Sequence, residues 1–454
     1  MKISMPKPAV HIIQTLSSHG YEAYIVGGCV RDSILGLTPS DWDITTSARP
    51  DQIKALFPRT IDTGIKHGTV TVMVDKEGYE VTTYRIDGLY EDHRRPSDVT
   101  FTSSLREDLM RRDFTINAMA YNEEEGLVDL FGGMKDLENR TIRCVGKATD
   151  RFNEDALRML RAVRFAGQLH FTIEQETRQA IIDCHQNLKD VSAERIQMEL
   201  LKLLISDHPE FLREAFRTGL TSVFLPEFDT MMATPQNNPH HCYTVGEHTI
   251  HAVCHAKPNP VIRLTLLLHD VAKPMTKSTD QYGVDHFSNH YRIGAEKSKE
   301  ILKRLKFDNQ TIQIVSTLIY HHDIRFKDPK VSGRRHVRKV MHSVGPNLFP
   351  YLLDVMEADV SAQSDYYQAE KLSILAETRE ACDEILKAGD CLGLKDLKIN
   401  GNQLKALGIR EGKIIGSILN ALLSMVLEHP KLNESSYLEE LALNIYEQLR
   451  QKND

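Results

Sequence analysis

Two aspartates one residue apart, Asp41 and Asp43, form the first pattern in the chain that can do chemistry. On a strand, side chains two apart share a face, where two carboxylates repel unless a cation lies between them. Oxygen-only ligands suit Mg²⁺, often together with substrate phosphates. Upstream, the Gly27-Gly28 turn lets backbone N–H groups approach a phosphate, and the Arg31 fork can bind phosphate oxygens. Each feature alone also fits a plain βα turn or a solvated Asp pair, but together they predict phosphoryl or nucleotidyl transfer.

A second pattern is an ordered series of histidines and aspartates in the later half of the chain. An adjacent His-Asp pair on an apolar helix is costly to bury unless both side chains are engaged. A metal would engage both side chains. The order of the series resembles the HD phosphohydrolase superfamily, and this resemblance implies a metal site whose first ligand set is His248, His269, Asp270 and Asp359. It also implies that His290 and either His321 or His322 bind a second metal or a phosphate. This mixture suits Mn²⁺, Ni²⁺, Co²⁺ or Fe²⁺, whereas we expect only solvation or hydrogen bonding for His251, His255, His286 and His336.

Composition narrows the function classes. The 454 residues predict about three or four domains, and the net charge of −7 argues against a uniformly basic nucleic-acid coat. The longest apolar stretch, Ile414–Leu427, is too short for a membrane helix, and the start of the chain lacks a secretory signal. Seven cysteines without a Cys-x-x-Cys pair predict reduced thiols and a cytosolic protein.

Strand and helix patterns separate along the chain. Ala23–Val26, Thr69–Val74 and Tyr79–Arg85 read as strands, the last two as a hairpin turning through Lys76–Gly78, and Glu91–Ser97 reads as a loop. From about residue 149 the pattern is helical. The predicted helices are Glu154–Leu169, Ala193–Ile205, Val261–Val271, Ala295–Leu305, Gln310–Tyr320, Tyr351–Ala362, Gln368–Lys387, Ile414–Leu427 and Leu438–Gln451. The sequence therefore predicts an α+β head followed by a long helical body.

Several motifs in order resemble the class II tRNA nucleotidyltransferases, which comprise the CCA-adding enzymes and their bacterial poly(A) polymerase relatives. The resemblance covers about residues 20–205 and, more weakly, the tail. It rests on Gly27-Gly28-x-Val-Arg31-Asp32, Asp41-x-Asp43, Asp108–Ala118, Val128–Leu137, Glu154–Phe165, Ser192–Ile196 and Leu397–Gly412. The histidine series resembles the HD phosphohydrolase superfamily. The resemblance implies a polymerase-beta-type head with a mixed or antiparallel sheet (1–148), a helical neck (149–232), an HD module (233–370) and a helical, tRNA-binding tail (371–454).

The resemblance also implies roles for individual residues. Asp41 and Asp43 would hold two Mg²⁺ ions, one at the tRNA 3′-hydroxyl and one at the pyrophosphate leaving group. The triphosphate would bind Gly27, Gly28 and Arg31, and the ribose would contact Arg112 and Asp113. On one helix face, Asp155 and Arg158 would read the Watson–Crick edge of CTP or ATP, and Arg161 and Arg164 would extend a basic ridge toward phosphates or the tRNA end.

The implied activity is template-free addition of CMP and AMP from CTP and ATP to the tRNA 3′ end. A loop at Tyr90–Pro96, linked in the family to the switch from C to A, disfavours a CC-only enzyme. An A-adding specialist, a poly(A) polymerase and an HD phosphohydrolase acting on RNA ends or nucleotides remain alternatives, and the Asp pair disfavours a non-catalytic RNA-binding protein. Oligomeric state stays open.

Overall fold

The protein is described here by a computed structural model, which covers residues 2–88, 99–409 and 412–451. The predicted loop Tyr90–Pro96 therefore lies outside the described residues. The chain forms two compact units. One comprises Met1–Asp229 with Arg304–Lys306, and the other comprises Thr230–Lys303 with Phe307–Asp454.

The first unit is built on a seven-stranded mixed sheet, which confirms the predicted α+β head. Its strand order is β3-β4-β5-β2-β1-β8-β9, and β2 with β5 is its parallel pair. Two further strands, β6 and β7, pair with each other outside this sheet. The strands are β1 Ala23–Val26, β2 Ile44–Thr46, β3 Thr60–Gly64, β4 Thr69–Val74, β5 Glu77–Thr83, β6 Arg85–Asp87, β7 Val99–Phe101, β8 Met119–Asn122 and β9 Gly126–Asp129.

The hairpin between β4 and β5 forms as predicted, but its turn lies one residue earlier. Val74 pairs with Glu77, which leaves Asp75 and Lys76 as the two turn residues. Both have positive φ, 49° and 73°, the backbone that a two-residue turn of the I′ type requires. Glu80 therefore lies on β5, and β2 separates that strand from β1.

Helices surround the sheet and continue into the neck. They are α1 Lys7–Ser18, α2 Gly28–Ile34, α3 Pro50–Leu56, α4 Leu105–Met110, α5 Gly133–Glu138, α6 Ala148–Glu154, α7 Leu157–Leu169, α8 Gln175–Cys184, α9 Ala193–Leu204, α10 Leu212–Arg217, α11 Thr221–Phe224 and α12 Pro226–Ala233. A short parallel pair, β10 Thr141–Ile142 with β11 Thr172–Ile173, interrupts the helical pattern.

The predicted continuous helix Glu154–Leu169 is wrong at its beginning. Helix α6 ends at Glu154, and Asp155 has extended backbone, with φ −137° and ψ 102°. The Asp155 carboxylate accepts a hydrogen bond from the Leu157 N–H at 3.1 Å, so it satisfies one of the free donors at the start of α7. Asp155 therefore lies at a break between two helices, not three residues along one helix from Arg158.

In the described part of the second unit, the regular structure is helical apart from one hairpin, β12 Lys277–Thr279 with β13 Asp285–Phe287. Buried residues from Leu318 to Ala442 form one core, and α21 crosses the predicted boundary between HD module and tail. The four-domain division therefore stays a prediction. The helices of the second unit are α13 Val245–His255, α14 Pro260–Leu268, α15 Lys273–Thr276, α16 His290–Arg304, α17 Asn309–His321, α18 Pro329–Ser332, α19 Arg335–Val344, α20 Phe349–Ser361, α21 Gln368–Ala388, α22 Gly401–Ala406, α23 Lys413–Glu428 and α24 Ser435–Gln451. Among the described residues, no helix is long and apolar enough to cross a membrane.

Close packing of α7 generates a stability prediction. A Cβ on Gly167 would lie 2.8 Å from Leu203 Cδ1 and 3.0 Å from the His208 carbonyl oxygen. Alanine gains about 1 kcal/mol of helix propensity over glycine, but overpacking costs roughly 1–3 kcal/mol. We expect Gly167→Ala to lower the free energy of unfolding by about 1 kcal/mol, measured by chemical denaturation. Gly416→Ala on α23, where a Cβ meets nothing within 4 Å, is the matched control and should stabilise. Equal stabilisation by both variants would contradict the packing argument.

Candidate active site

The two aspartates immediately precede β2, the central strand of the seven-stranded sheet. Asp41 and Asp43 occupy the extended segment that leads into β2, and the Val26 N–H donates to the Asp43 carbonyl at 3.0 Å. This hydrogen bond continues the pairing of β1 with β2 beyond the strand itself. Both aspartates are exposed, so a cation and a substrate phosphate can reach them.

Charge crowding marks Asp43 in particular. Partial desolvation by surrounding protein, followed by the charge of Asp41, raises the pKa of Asp43 to about 6, and Glu80 acts in the same direction. A nearby Arg112 opposes this shift. Two adjacent carboxylates resist being ionised together unless a cation neutralises them. Their oxygen ligands fit a hard divalent cation. Sequence reasoning missed Glu80, although it lies between the buried Tyr79 and Val81 on a predicted strand.

The glycine turn brings an arginine close to the backbone. Gly27 has a φ of +82°, which favours glycine, and a Cβ there would lie 3.0 Å from Arg112 Nη1. Gly28 begins α2. The predicted phosphate turn and the predicted ribose contact, Arg112, are therefore neighbours in space, beside the Asp41–Asp43 segment.

Arg31 is directed into the protein in this structure. The residue is 8% exposed, and its Nη1 donates to Asn117 Oδ1 at 2.6 Å while Nε donates to Asp32 Oδ1 at 2.8 Å. Its guanidinium also lies 4.9 Å from the Phe165 ring centroid. Binding of a triphosphate by Arg31 stays a prediction, and it requires at least one of these hydrogen bonds to be exchanged.

A fully buried carboxylate, Asp108, anchors the arginine pair and was not predicted as a site residue. Arg111 Nη2 lies 2.8 Å from Asp108 Oδ1, and Arg112 Nη2 lies 3.6 Å from Oδ2. Thr45 on β2 donates to the same Oδ2 at 3.0 Å. Burial alone would raise the pKa of Asp108, but the charges of Arg111 and Arg112 hold it below its ordinary value. Asp108 therefore fixes the position of Arg112 relative to β2.

Asp113 binds the neck instead of facing a ligand. Its Oδ2 accepts from Arg161 Nη2 at 2.6 Å and Nε at 2.9 Å, and its Oδ1 accepts from Asn117 Nδ2 at 3.0 Å. Burial would raise the pKa of Asp113, but Arg161 and Asn117 hold it well below its usual range. Because both oxygens are engaged, the structure favours a positioning role over the predicted direct ribose contact.

The predicted basic ridge does not extend along α7. Arg164 is buried, its Nε donates to Glu199 Oε2 on α9, and its Nη1 donates to Gln168 Oε1 at 2.5 Å. Arg161 Nη1 lies 3.8 Å from Glu199 Oε1. The prediction for Arg164 is therefore wrong in its geometry. The motif that carries Arg161 and Arg164 does not include Glu199, which lies 35 residues beyond Arg164.

Asp155 and Arg158, the predicted base readers, both have protein partners. Arg195 Nη2 donates to Asp155 Oδ2 at 2.6 Å, and Arg158 Nη1 donates to Glu154 Oε2 at 2.5 Å. Arg158 Nη2 also donates to the Arg111 carbonyl at 2.9 Å. Base recognition by Asp155 and Arg158 stays a prediction, and it requires an incoming base to replace Arg195 and Glu154 as partners.

The second unit gathers six side chains of the histidine series at one centre. They form two groups, and within each group one ligand atom from every member lies within 4.8 Å of the others. The groups are His248, His269 and Asp359, and Asp270, His290 and His322. Asp270 also reaches the first group, since its Oδ2 lies 3.2 Å from His269 Nε2 without the geometry of a hydrogen bond. The structure thus selects His322 over His321.

Backbone carbonyls orient all four imidazoles. The Nδ1 atoms of His248, His269, His290 and His322 lie 3.3, 2.6, 2.8 and 2.6 Å from the carbonyls of Ala362, Leu266, Phe287 and Ile319, respectively. Because a carbonyl only accepts, each Nδ1 carries a proton and each Nε2 is directed at the centre, where a bound metal would replace any proton that this nitrogen carries. A carbonyl that fixes the tautomer in this way is the usual outer partner of a metal-binding histidine.

Charge at this centre favours a bound cation. Lys273 Nζ lies 2.7 Å from Asp270 Oδ2. Burial alone lowers the pKa of His269, but Asp270 and Asp359 outweigh burial and raise it to about 10. The centre therefore attracts positive charge, and its mixed imidazole and carboxylate donors fit a first-row transition metal better than Mg²⁺.

In contrast, His255 and His286 are exposed and hydrogen-bonded to His251 O and Asp280, as expected.

The chain is similar to known proteins along most of its length. Three family models match it: Poly A polymerase head domain (23–143), Probable RNA and SrmB-binding site of polymerase A (170–232) and tRNA nucleotidyltransferase domain 2 (285–442). The CCA-adding enzyme of Levilactobacillus brevis is 44% identical over 305 residues, 67% of this chain and 69% of that protein. The chain belongs to the CCA-adding enzyme family. The predicted family is confirmed.

Two further comparisons support this membership. The CCA-adding enzyme of Geobacillus thermodenitrificans is 54% identical over 219 residues, 48% of this chain and 54% of that protein. The solved CCA-adding enzyme of Bacillus stearothermophilus in complex with CTP is 30% identical, with a TM-score of 0.74. That comparison covers 99% of this chain and 100% of the solved chain, so the CCA-adding enzyme fold extends through both units.

The buried Glu199–arginine cluster of this CCA-adding enzyme relative generates a second prediction. Glu199→Gln removes the countercharge of Arg164, whose side chain is 7% exposed. An uncompensated buried charge costs about 3–5 kcal/mol. We expect a drop in unfolding free energy of roughly this size, measured by denaturant titration.

The matched control is Glu434→Gln, which makes the same change in the exposed pair with Lys398, where both side chains are more than half accessible. It should change stability little. A loss no larger than that of the control would show that Arg164 finds another partner or reaches solvent.

Proposed function

We propose that the protein is a template-independent tRNA nucleotidyltransferase, which adds CMP and AMP from CTP and ATP to the tRNA 3′ end and releases pyrophosphate. The observation that carries this is the exposed Asp41–Asp43 pair beside the Gly27 turn and Arg112. The similarity over 99% of the chain to a CCA-adding enzyme bound to CTP supports the substrate class.

Each residue of the head has a role in this proposal. Asp41 and Asp43 hold divalent metal, which we assign to Mg²⁺ because their donors are all oxygen. Bound there, the metal would supply charge neutralisation at the attacking 3′-hydroxyl and at the leaving pyrophosphate. Arg112, held by Asp108, places a positive charge beside the Gly27 backbone where the triphosphate would bind.

Base selection follows from donors and acceptors at the break between α6 and α7. When a base displaces Arg195, the Asp155 carboxylate can accept only from an exocyclic amino group, which CTP and ATP carry and UTP and GTP lack. Arg158, released from Glu154, donates to the ring nitrogen or carbonyl. Exchange of one set of charged hydrogen bonds for another keeps these groups paired before and after binding.

We place the reaction in the cytosol. All seven cysteines are free thiols, as expected in a reducing compartment.

Incorporation assays test the transferase proposal. tRNA transcripts lacking CCA, or ending after its first or second C, are incubated with Mg²⁺ and with each NTP singly and mixed. We expect completion of CCA on all three. Asp41→Ala should reduce incorporation by about a thousandfold or more, since charge stabilisation at the reacting phosphate is lost. Asp270→Ala, in the other unit, is the matched control and should retain it. Extension of only the third transcript would indicate an A-adding specialist, long A tails a poly(A) polymerase, and no incorporation would refute the proposal.

We also infer a second activity, in which the second unit is an HD phosphohydrolase. The six convergent donors with oriented Nε2 atoms favour it. We assign Mn²⁺, Ni²⁺ or Co²⁺ to this centre. In the reaction, water adds to phosphorus, the ester P–O bond breaks, and the alcohol leaves with the proton that the water gives up.

Metal content and hydrolysis test this second activity together. Full-length protein loaded with Mn²⁺ should retain about two ions per chain after gel filtration and should release phosphate from phosphomonoesters. We expect EDTA to abolish release, and Asp270→Ala to lower both metal content and release because Asp270 lies between the two donor groups. Asp41→Ala is the control and should leave both unchanged at this centre. Metal content that is unaffected by Asp270→Ala would contradict the assignment.

A further inference from the structure

The HD centre opens into a cavity that continues beyond the metal-ligand candidates. The cavity has a volume of about 390 Å³, and Arg325, Phe326 and Lys371 line it together with Asp270, His290 and His322. A second, more open cavity of about 310 Å³ adjoins it. His240, Lys371 and Ile374 line both cavities, so a ligand can extend from one into the other.

Aromatic rings dominate the second cavity. Tyr366 and Tyr367 line it and are 48% and 54% exposed. Their ring centroids are 4.6 Å apart at 77°, and the His240 ring centroid lies 4.9 Å from that of Tyr366. Three rings clustered at the protein surface leave aromatic faces available to a planar group, which is the arrangement that stacks nucleobases.

The backbone holds these rings in place. Tyr367 has a φ of +56°, a left-handed conformation that is uncommon for a bulky residue and typical of functional segments. Gln368 Nε2 donates to three carbonyls of the preceding turn, those of Val360, Ser361 and Gln363. Ser364 N–H donates to the His240 carbonyl at 3.0 Å, which ties the turn to the histidine segment.

A polar chain links this aromatic cluster to the HD centre. Lys371 Nζ donates to Gln363 Oε1 at 2.6 Å and lies 3.1 Å from His240 Nδ1. Gln363 Nε2 lies 3.4 Å from Asp359 Oδ2, in the first ligand group. A positive charge thus stands between the aromatic rings and the metal ligands, where the phosphate of a nucleotide would lie if its base stacked on the tyrosines.

We propose that Tyr366 and Tyr367 form a base-stacking platform, so that the phosphate ester taken by the HD centre belongs to a nucleoside. Lys371 binds the phosphate between platform and metal. This deepens the second activity proposed above and rests on it for the fate of the phosphate, but not for binding. The nucleoside is either free or the last residue of an RNA.

Binding is tested on the full-length protein in EDTA by equilibrium dialysis, with adenosine 3′-monophosphate against glycerol 2-phosphate, both phosphates of secondary alcohols. We expect the nucleotide to bind at least tenfold more tightly. Tyr366→Ala should weaken nucleotide binding about tenfold and leave glycerol 2-phosphate unchanged, because one stacking face is lost. Tyr366→Phe keeps the ring and should restore binding. Tyr437→Ala, an equally exposed tyrosine on α24, is the matched control.

The same variants are then assayed for hydrolysis with Mn²⁺, using adenosine 3′-monophosphate, glycerol 2-phosphate and an RNA oligonucleotide with a 3′-phosphate. If the oligonucleotide is hydrolysed at lower substrate concentration than adenosine 3′-monophosphate, the substrate is an RNA end. If the two are hydrolysed equally well, the substrate is a free nucleotide. Nucleotide binding that depends on Tyr366 without hydrolysis would refute the phosphohydrolase and keep the platform. If Tyr366→Ala changes neither the binding nor the hydrolysis of either phosphate, the platform is refuted and the phosphohydrolase is kept.

Discussion

One ion pair, between the buried Asp113 and Arg161, whose side chain is 32% exposed, joins the head motif to the neck helix in the first unit. Removing a carboxylate from water costs several kcal/mol unless it is paired and hydrogen-bonded. The head motif can therefore bury Asp113 only where the neck helix brings Arg161 to it. Asn117 extends the pair to Arg31, and Glu199 extends it to Arg164. The network fixes α7, and with it Arg158, relative to the sheet whose central strand follows Asp41 and Asp43.

This network changes what the basic residues of α7 are for. A row of arginines suggested contact with phosphate, yet Arg161 and Arg164 form ion pairs with carboxylates of the protein. Under the proposed function, Arg112 supplies positive charge to the substrate, and its contact with Asp108 is an ion pair at 3.6 Å. In the same way, Asp155 and Arg158 hold Arg195 and Glu154, so their hydrogen-bonding groups are preserved in a paired state. Under the proposed function, base selection depends on the free-energy difference between two paired states, and a base with the wrong edge binds these groups less well than Arg195 and Glu154 do.

Local patterns predicted what depends on local chemistry. The strand Ala23–Val26 and the β4–β5 hairpin follow from β-branched or alternating residues and their turns, and the structure has them. The histidine series was expected from its resemblance to the HD superfamily, and six of its side chains lie together. Partners distant in sequence were not predictable in this way. Glu199 buries Arg164 from a separate helix, and Thr45 reaches Asp108 across 63 residues. The break at Asp155 also escaped the helical pattern, because a side chain that caps the next helix competes with continuing the previous one.

The two proposed centres differ in the donors they present, and this difference separates their chemistry. Asp41 and Asp43 offer only oxygen to a cation from an exposed segment, which suits an ion that keeps water and binds along with substrate phosphates. The histidine centre of the second unit offers four imidazoles whose Nδ1 atoms are held by carbonyls, so their Nε2 atoms are directed at the centre before any ion arrives. Preorganised nitrogen donors favour transition metals over Mg²⁺ by the ordinary affinity order. One chain can therefore hold Mg²⁺ at one centre and a transition metal at the other, because the oxygen donors suit Mg²⁺ and the imidazole nitrogens suit the transition metal.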